Sequence, residues 1–410
     1  MKMTLTERFL KYVKIDSQSD EYSDNTPTTE KQFNIAKELV ADLKEIGCTD
    51  AVCDSHCYVY AHIPATKGYE NRPAIGFIGH MDTSPDFSGT GVNPIVTENY
   101  NGKDLPLGSG RTLKVSDFPD LKKLKGRTLI TSDGSTLLGA DDKAGVTEII
   151  CSAEKIIKEN IPHGKICICF TPDEETGGGT KCFDLEKFGA DFAYTLDGEI
   201  EGEIVCENFN AAHASFEISG FNVHPGSAKN TMKNASQIAF EINSMLPSGE
   251  RPEYTEHYEG FYHLCHMSGN VESAKLEYIV RDHDSNRFEA RKKTLIHIEA
   301  LINEKYGKGT VKLELRDQYR NMAEIIERKE NRHLVENAVK AIKAVGLKPV
   351  KEPIRGGTDG AALSFLGLPC PNLGTGGYAF HGPYEHCTVE GMQLCSDIAV
   401  EIVKLYAEKK

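Results

Sequence analysis

The sequence predicts an α/β protein, with a mixed, mainly parallel sheet carrying helices on both faces and an α+β domain inserted into the chain. Three observations predict this fold. Apolar runs of strand length alternate with amphipathic helical segments in the first and last parts of the chain, as in sheets joined by crossover helices. Acidic residues directly follow several of these runs. From about 211 to 320 the pattern changes to two helices and three or four alternating strands, so we expect one discontinuous domain over 1–210 and 321–410 and an inserted domain over 211–320.

The individual elements follow from local periodicity. Helices are expected where apolar residues recur three and four positions apart, and the Thr4-x-x-Glu7 capping box begins the first of them. Further helices are expected at about 33–43, 146–156, 230–245, 287–302, 334–345 and 389–406, with another directly after 355–360. Strands are expected at about 58–63, 74–78, 165–170, 192–196, 214–218, 276–280 and 311–315. The stretch 88–134 gives only short strand signals and indicates a loop or hairpin excursion.

Composition limits the class of protein. A chain of 410 residues with 39% hydrophobic and 26% charged residues is long enough for two or three domains with ample cores. A net charge of −14 argues against nucleic acid or an anionic membrane as partner. Residues 1–10 lack the apolar stretch of a signal peptide, so we expect a cytoplasmic protein whose twelve cysteines are reduced. The segment 53–57, Cys-Asp-Ser-His-Cys, has no second ligand pair at suitable spacing, which argues against a structural zinc there.

Paired polar residues follow one of the expected strands and lie at the start of one of the expected helices. His80 and Asp82 follow the strand at 74–78, and residues two apart in an extended segment project to the same side. His80 can therefore bind a metal while Asp82 orients it. Asp141 and Asp142 lie between a glycine-containing turn and a helix. They fit helix caps or a bridging metal ligand with its neighbour, and their spacing leaves both explanations open.

The pair Glu174 and Glu175 follows the apolar run at 165–170. Adjacent carboxylates repel each other unless a cation or a proton neutralises one of them. The pair is either a polar, solvated strand end or a metal ligand beside a general base. Asp197 ends the next strand, and His381 lies on a glycine-rich loop after a later one. The repetition of acids after successive strands favours a shared site at the carboxyl edge of the sheet.

These residues together form a set of metal ligands. Two imidazoles and three carboxylates from five strand-end loops suit zinc, with cobalt or manganese as substitutes, at two adjacent sites. One shared carboxylate would explain how five residues hold two ions. The spare carboxylate of Glu174 can then take a proton from water, and the chemistry that fits is hydrolysis of an amide. The five ligand candidates are His80, Asp141, Glu175, Asp197 and His381.

The chain resembles the co-catalytic di-zinc hydrolases, the family that includes glutamate carboxypeptidase, aminoacylase and succinyl-diaminopimelate desuccinylase. The broad motifs that carry this resemblance are Gly79-His-Met-Asp82, Gly139-Ala-Asp-Asp-Lys143, Asp173-Glu-Glu175, Asp197 and His381. Narrower motifs at 79–86, 137–145, 171–177, 224–229, 355–360 and 372–377 are similar to those of the tripeptide aminopeptidases within it. The matching segments keep the family's order and extend over nearly the whole chain.

The resemblance implies a role for each residue. His80 and Asp197 would hold one zinc, Glu175 and His381 the other, and Asp141 would bridge them. Asp82 would orient His80, and Glu174 would be the general base that later protonates the leaving amine. The implied fold is a zinc-exopeptidase-like catalytic domain with a ferredoxin-like lid domain. The Asp141–Asp142 peptide bond is often cis in such proteins, so a cis bond is expected here.

The inserted domain would act as the lid. The resemblance implies that His224 polarises the scissile carbonyl and that Arg281 pairs with a substrate carboxylate, with contributions from Asn230 and Arg355. An ordinary surface or interdomain contact is the alternative for each of these four. The loop 382–387 departs from the relatives' pattern, which leaves its role open. Lid domains in this family mediate dimers in some members, so whether this protein forms a homodimer stays open as well.

Three hypotheses about function follow. The first is an aminopeptidase that removes the N-terminal residue from tripeptides. The second keeps the metals but changes the substrate to a dipeptide, an acylated amino acid or a C-terminal residue. The third is a metal-binding or peptide-binding protein without catalysis, against which the intact Glu174 argues, because a binder has no use for a base beside its metals.

Overall fold

The computed structural model describes residues 3–408, which fold into two compact units. The first unit takes in the chain up to Cys206, Glu324–Glu352 and the chain from Thr358 onward. The second unit consists of Glu207–Ala323 and Pro353–Gly357. Its limits lie three or four residues outside the range 211–320 expected from the sequence, and the short segment 353–357 belongs to it as well. Within residues 3–408, no helix is both long and apolar enough to cross a membrane.

The helices and strands are numbered here in chain order. The helices are α1 (Leu5–Val13), α2 (Gln32–Ile46), α3 (Ala140–Lys158), α4 (Leu185–Phe188), α5 (Ala235–Ser244), α6 (Ser285–Tyr306), α7 (Ala323–Ile326), α8 (Arg332–Ala344), α9 (Asp359–Leu366) and α10 (Val389–Glu408). The first nine strands are β1 (Val52–Cys53), β2 (Val59–Ile63), β3 (Ile75–His80), β4 (Ile95–Thr97), β5 (Leu105–Pro106), β6 (Thr112–Leu113), β7 (Leu129–Thr131), β8 (Ile166–Thr171) and β9 (Phe192–Gly198). The others are β10 (Ile204–Val205), β11 (Asn210–Ser219), β12 (Phe261–Gly269), β13 (Ser273–Asp282), β14 (Val311–Tyr319), β15 (Asn372–Gly374), β16 (Gly377–Tyr378) and β17 (His386–Thr388).

A seven-stranded sheet forms the centre of the first unit, in the order β1-β2-β8-β3-β9-β15-β10. The four middle strands β8, β3, β9 and β15 run parallel, while the outer strands pair antiparallel. All residues of β3 and β8 are buried, which explains why both appear in the sequence as continuous apolar runs. The carboxyl ends of parallel strands lie at one edge of a sheet, so the residues that follow β3, β8 and β9 meet there.

Helices cover both faces of this sheet, as the sequence predicts. Glycines on β3 allow the close packing, because a Cβ on Gly76 would lie 2.5 Å from the Phe188 ring of α4 and one on Gly79 would lie 3.4 Å from Ile149 of α3. On α3 itself, a Cβ on Gly145 would lie only 2.0 Å from the carbonyl oxygen of Leu196 in β9. The start of α3 is therefore held against the carboxyl end of β9.

The second unit has a four-stranded antiparallel sheet in the order β12-β13-β11-β14. Helices α5 and α6 pack against it around a hydrophobic core of its own, to which Phe216, Leu276 and Ile298 belong. Its α5 begins later than expected. The predicted helix 230–245 starts only at Ala235, because the side chain of Asn234 accepts a hydrogen bond from the backbone N–H of Gln237 and caps the helix there.

The excursion at 88–134 forms short strands rather than a long loop. Strands β4 and β7 join β16 and β17 in a small four-stranded sheet, and β5 pairs with β6. The first helix has the capping box that the sequence predicts, in which the Thr4 hydroxyl and the Glu7 carboxylate each accept a backbone N–H of the other residue. All twelve cysteines are free thiols.

Candidate metal centre

The structure brings the five ligand candidates together in two groups. His80, Asp141 and Asp197 form the first group, and Asp141, Glu175 and His381 form the second. Within each group the nearest ligand atoms all lie within 4.8 Å of one another. Asp141 belongs to both groups, so it has the position of a shared ligand.

The first group is built from the ends of two neighbouring strands. His80 is the last residue of β3, and Asp197 lies near the end of β9. The His80 Nε2 atom lies 2.9 Å from Asp141 Oδ1 and 3.3 Å from Asp197 Oδ1. The Nδ1 atom lies 3.3 Å from a carboxylate oxygen of Asp82 and 3.2 Å from its backbone carbonyl. This is the orienting contact predicted for Asp82, and it leaves Nε2 facing the other carboxylates.

The second group joins the turn after β8 to the loop after β16. The His381 Nε2 atom lies 3.0 Å from Glu175 Oε2 and 3.3 Å from Asp141 Oδ2. Its Nδ1 atom lies 3.0 Å from Asp86 Oδ2 and 3.3 Å from Ser84 Oγ. His381 adopts a backbone φ of 63°, in the left-handed region. Both imidazoles are thus fixed through Nδ1 and turn Nε2 towards carboxylates.

Asp141 and its neighbour Asp142 make different contacts at the start of α3. The peptide bond between them is cis, as the resemblance implies, and neither residue has helical φ and ψ although α3 includes both. Asp141 directs its carboxylate towards both imidazoles. Asp142 is fully buried, and its carboxylate accepts the backbone N–H of His80 at 3.1 Å and of Gly145 at 3.1 Å. Asp142 therefore ties the start of α3 to the end of β3.

Asp82 holds the turn that carries Glu174 and Glu175. One carboxylate oxygen of Asp82 accepts the backbone N–H of Glu174 at 3.1 Å, and the other accepts that of Glu175 at 3.3 Å. Both residues are half-buried, and the side chain of Glu175 is only 4% exposed. Asp82 thus contacts both the histidine of the first group and the turn that supplies the second.

The electrostatics of the site reflect this crowding of like charges. Burial and the charge of Asp197 raise the pKa of Glu174 well above its ordinary value. Burial and the charge of Asp141 raise the pKa of Glu175 to about 8. Hydrogen bonds to Asp141 and Glu175 raise the pKa of His381 to about 12. Carboxylates at such short distances stay ionised together only when a cation balances them.

The donor set fits divalent metal ions. Imidazole nitrogens and carboxylate oxygens are ligands that zinc, cobalt and manganese accept. Glu175 Oε1 is buried and has no hydrogen-bond partner among the residues that the structure describes. A buried carboxylate oxygen without a partner is costly, and coordination to a metal would satisfy it.

Four predicted substrate-binding residues belong to the second unit, where two of them have structural partners. Arg281 is 9% exposed, donates to the carbonyls of Ala212 and Val280 and stacks on the Tyr319 ring. Arg355 donates to the backbone carbonyls of His257 and Glu259 and to the Thr255 hydroxyl, with its guanidinium against the rings of Phe209 and Phe261. These contacts correspond to the alternative of an ordinary structural contact that the sequence left open for both arginines.

The other two, His224 and Asn230, are exposed. His224 Nδ1 accepts the backbone N–H of Gly226 at 3.1 Å, and Asn230 has a φ of 61° in a turn before α5. Neither side chain is enclosed by its own unit, so both are accessible to a ligand.

Sequence reasoning missed several carboxylates that hold the site in place. Asp86 orients His381, although it lies within the quoted segment 79–86. Asp359 is buried and accepts the Thr171 hydroxyl at 2.8 Å at the end of β8. Glu385, in the loop whose role was open, accepts three backbone N–H groups just before and within the start of α3. Asp86 and Asp359 were visible within motifs, whereas Glu385 was visible only as part of the loop 382–387, with nothing to indicate its partners.

A mainly parallel α/β sheet with adjoining histidine–carboxylate groups at its strand ends defines a metal-dependent hydrolase. Residues 134–405 match the family described as Peptidase family M20/M25/M40. The chain is also 53% identical over 406 residues to Peptidase T of Clostridium acetobutylicum, covering 98% of this chain and 99% of that protein. The chain belongs to peptidase family M20/M25/M40.

Solved structures share the fold. Aminopeptidase PepT from Bacillus cereus superposes with a TM-score of 0.79 at 24% identity, covering 98% of each chain. The YXEP protein of Bacillus subtilis, described as a dinuclear metal-binding peptidase of the M20 family, superposes with a TM-score of 0.68 at 15% identity, covering 99% of this chain and 98% of that one. At these identities the two structures bear on the fold alone.

Proposed function

We propose that this protein is a metallo-aminopeptidase that releases the N-terminal residue from tripeptides. The observation that carries this proposal is the pair of histidine–carboxylate groups that share Asp141, with Glu174 in the same turn as Glu175. The 53% identity to a protein named Peptidase T supports the substrate class. The free thiols of all twelve cysteines fit the reducing conditions of the cytoplasm.

Two zinc ions are the proposed cofactors. His80 and Asp197 would hold one ion, Glu175 and His381 the other, and Asp141 both. When bound, such ions supply Lewis acidity to a peptide carbonyl and lower the pKa of a water molecule. The chain's own contribution is to hold five donors at fixed distances, through the Nδ1 contacts of both histidines and the backbone contacts of Asp82.

Glu174 is the proposed general base. Glu174 is adjacent to Glu175, and the Asp82 carboxylate accepts the backbone N–H group of each of the two residues. A carboxylate beside the ligands but not among them can accept a proton from water and then return it to the leaving amine. The five ligand candidates leave Glu174 as the carboxylate of this turn that is not needed to hold a metal.

The second unit is the proposed lid. His224 and Asn230 are exposed and free to contact a bound peptide. Arg281 is the proposed partner of the peptide's C-terminal carboxylate; because it is 9% exposed and its Nη1 atom donates to the carbonyls of Ala212 and Val280, this role falls to its other guanidinium nitrogens. The guanidinium of Arg281 would select substrates by length, because it would meet the C-terminal carboxylate of a peptide of one length only. Arg355 would support this arrangement indirectly, because its donors hold the 255–259 segment of the same unit.

Peptides of different length test the proposal. Di-, tri- and tetrapeptides with the same N-terminal residue, together with an N-acetylated amino acid, are assayed for release of the free amino acid. We expect turnover of the tripeptide to exceed that of the others, and to be lost after chelation and restored by zinc. Equal turnover of all three peptides, preference for the N-acetylated substrate, or undiminished activity after full metal removal would contradict the proposal.

A further inference from the structure

The loop after His381 contains a buried carboxylate that contacts another part of the metal centre. Glu385 is 1% exposed. Its Oε2 atom accepts the backbone N–H groups of Leu138 and Gly139, each at 2.8 Å, and its Oε1 atom accepts that of Asp141 at 2.9 Å. These partners lie 244 to 247 residues earlier in the chain. One side chain therefore fixes the backbone on both sides of the Gly139–Ala140 junction.

The three N–H groups have a reason to need this partner. Gly139 precedes α3 with a φ of 81°, and no side chain of its own caps the helix. The N–H group of Asp141 belongs to the start of α3, where the first N–H groups lack partners within the helix and favour negative charge. Those of Leu138 and Gly139 precede the helix and are buried, where an N–H group without a partner is costly. A carboxylate has two oxygens with which to accept three N–H groups, whereas an amide has only one. Glu385 thus satisfies the backbone around the Gly139–Ala140 junction, while the carboxylate of Asp142 accepts the Gly145 N–H group further along α3.

The position of Glu385 connects the two histidine–carboxylate groups. It follows His381 by four residues, and its own N–H donates to the carbonyl of Gly382 in the short turn between them. Directly after Glu385, β17 pairs with β7 through His386 and Thr131. The loop that carries His381 therefore also holds the backbone of Asp141, whose carboxylate lies 3.3 Å from His381 Nε2 and 2.9 Å from His80 Nε2.

We infer that Glu385 is a positioning residue that fixes Asp141 relative to His381 and thereby sets the geometry of both metal-binding groups together. The inference rests on the proposed metal centre. Because Asp141 belongs to both groups, a displacement of its backbone changes both at once, unlike the loss of a contact to His80 or His381 alone. Residues that orient metal ligands in this way typically contribute about 10-fold to 100-fold to metal affinity.

Cobalt binding to the full-length apoprotein tests this role. Glu385→Gln keeps the size of the side chain but places an amide NH₂ against backbone N–H groups. We expect both cobalt dissociation constants to rise by about 10-fold to 100-fold, with a changed visible spectrum of the bound cobalt. The matched control is Glu390→Gln, because the Glu390 carboxylate accepts the backbone N–H of Thr128 at 2.9 Å and contacts neither group of ligands. The control is expected to keep the wild-type affinities and spectrum.

The outcomes separate this inference from the proposed function. Wild-type protein that binds no cobalt would contradict the proposed metal centre itself. Wild-type binding together with unchanged affinities and spectrum in Glu385→Gln, or an equal loss in Glu390→Gln, would overturn only the role of Glu385. If circular dichroism shows that Glu385→Gln does not fold, the titration is made with Glu385→Asp, which keeps the charge on a shorter side chain. Weaker binding of both ions supports the inference there, and wild-type binding overturns it.

Discussion

Asp82 shows how one buried side chain can organise two parts of a site. Its carboxylate contacts His80 Nδ1 and accepts the backbone N–H groups of Glu174 and Glu175. The sequence predicted the first contact from the spacing of His80 and Asp82. The second contact, to a turn more than 90 residues away, makes the orientation of the histidine and that of the proposed base depend on the same group. Changes at Asp82 should therefore affect metal binding and catalysis together.

Glu174→Gln separates these two properties. The change keeps the shape of the side chain but removes its ability to accept a proton, so we expect the turnover number to fall by about 10²-fold to 10⁴-fold. Metal content per chain, measured by elemental analysis, should stay at the wild-type value because Glu174 is not a proposed ligand. Glu186→Gln is the control, since Glu186 is exposed on α4. Turnover within about threefold of wild type in Glu174→Gln would rule out the proposed base.

At the scale of helices and strands, local sequence brought three of the five ligand candidates together because each of the three lies at or just after a strand that is easy to predict. His80, Glu175 and Asp197 lie at or just after the buried strands β3, β8 and β9. Since parallel strands present their carboxyl ends at one edge, predicting the strands was enough to bring these residues together. The start of α5 was misplaced because a single side chain, Asn234, decided it, and apolar periodicity does not register a cap.

Contacts made by backbone groups could not be predicted in this way. Glu385 accepts N–H groups that every residue except proline possesses, so its partners at 138–141 have no signature in the sequence. Arg355 likewise donates mainly to backbone carbonyls nearly 100 residues earlier. The resemblance implied a contribution of Arg355 to substrate binding, with an ordinary structural contact as the alternative, and the structure shows contacts by which Arg355 holds 353–357 within the second unit. Such long-range contacts depend on the fold and become visible only with it.

The packing of α3 against β9 leads to a prediction about Gly145. Alanine in place of glycine normally stabilises a helix by about 0.5–1 kcal/mol. At Gly145 we expect the opposite sign, because the added Cβ would lie 2.0 Å from the Leu196 carbonyl and 2.4 Å from Asp142 Oδ1. Overpacking of this kind typically costs about 1–3 kcal/mol. Urea unfolding of Gly145→Ala measures the change, and a midpoint at or above that of wild type would show that α3 can move away from β9.

The buried His386 of strand β17 should make the stability of the folded protein depend on pH. Burial lowers the pKa of His386 to about 4 from an ordinary value of 6.5, so the folded protein keeps this ring neutral where the unfolded chain binds a proton. Stability from this residue is therefore complete above about pH 6.5 and falls as the pH drops towards 4. The expected loss is about 2 kcal/mol between about pH 6.5 and about pH 5.

His386→Phe keeps an aromatic ring beside Tyr378, whose ring lies 5.2 Å away and nearly parallel. This variant has no ring nitrogen to protonate, so its free energy of unfolding should fall less than that of the wild type between about pH 6.5 and about pH 5. Urea unfolding of both proteins at several pH values measures the difference. Identical pH dependence in the two proteins would show that His386 does not contribute in this way.

At the scale of the whole molecule, the division into two units makes the effect of metal removal uneven. All five ligand candidates belong to the first unit, and the second unit has a hydrophobic core of its own around β11, β13 and α6. A ligand that binds only the folded state stabilises it by about 2.7 kcal/mol at a concentration 100-fold above its dissociation constant. The metals should therefore stabilise the elements that carry the ligands and leave the second unit nearly unchanged.

Hydrogen exchange resolved by peptide measures this difference directly, and it avoids assigning one melting temperature to a chain of two units. After chelation we expect faster exchange at the ends of β3, β8 and β9 and in the loop around His381, because five charged or ionisable side chains lose the cations that balance them. Exchange in β11 and β13 should stay within error of the metal-loaded protein, and added zinc should reverse the change. A uniform increase across both units would mean that the metals stabilise the chain as one cooperative body. No change in either unit would show that the candidate ligands hold no metal in solution.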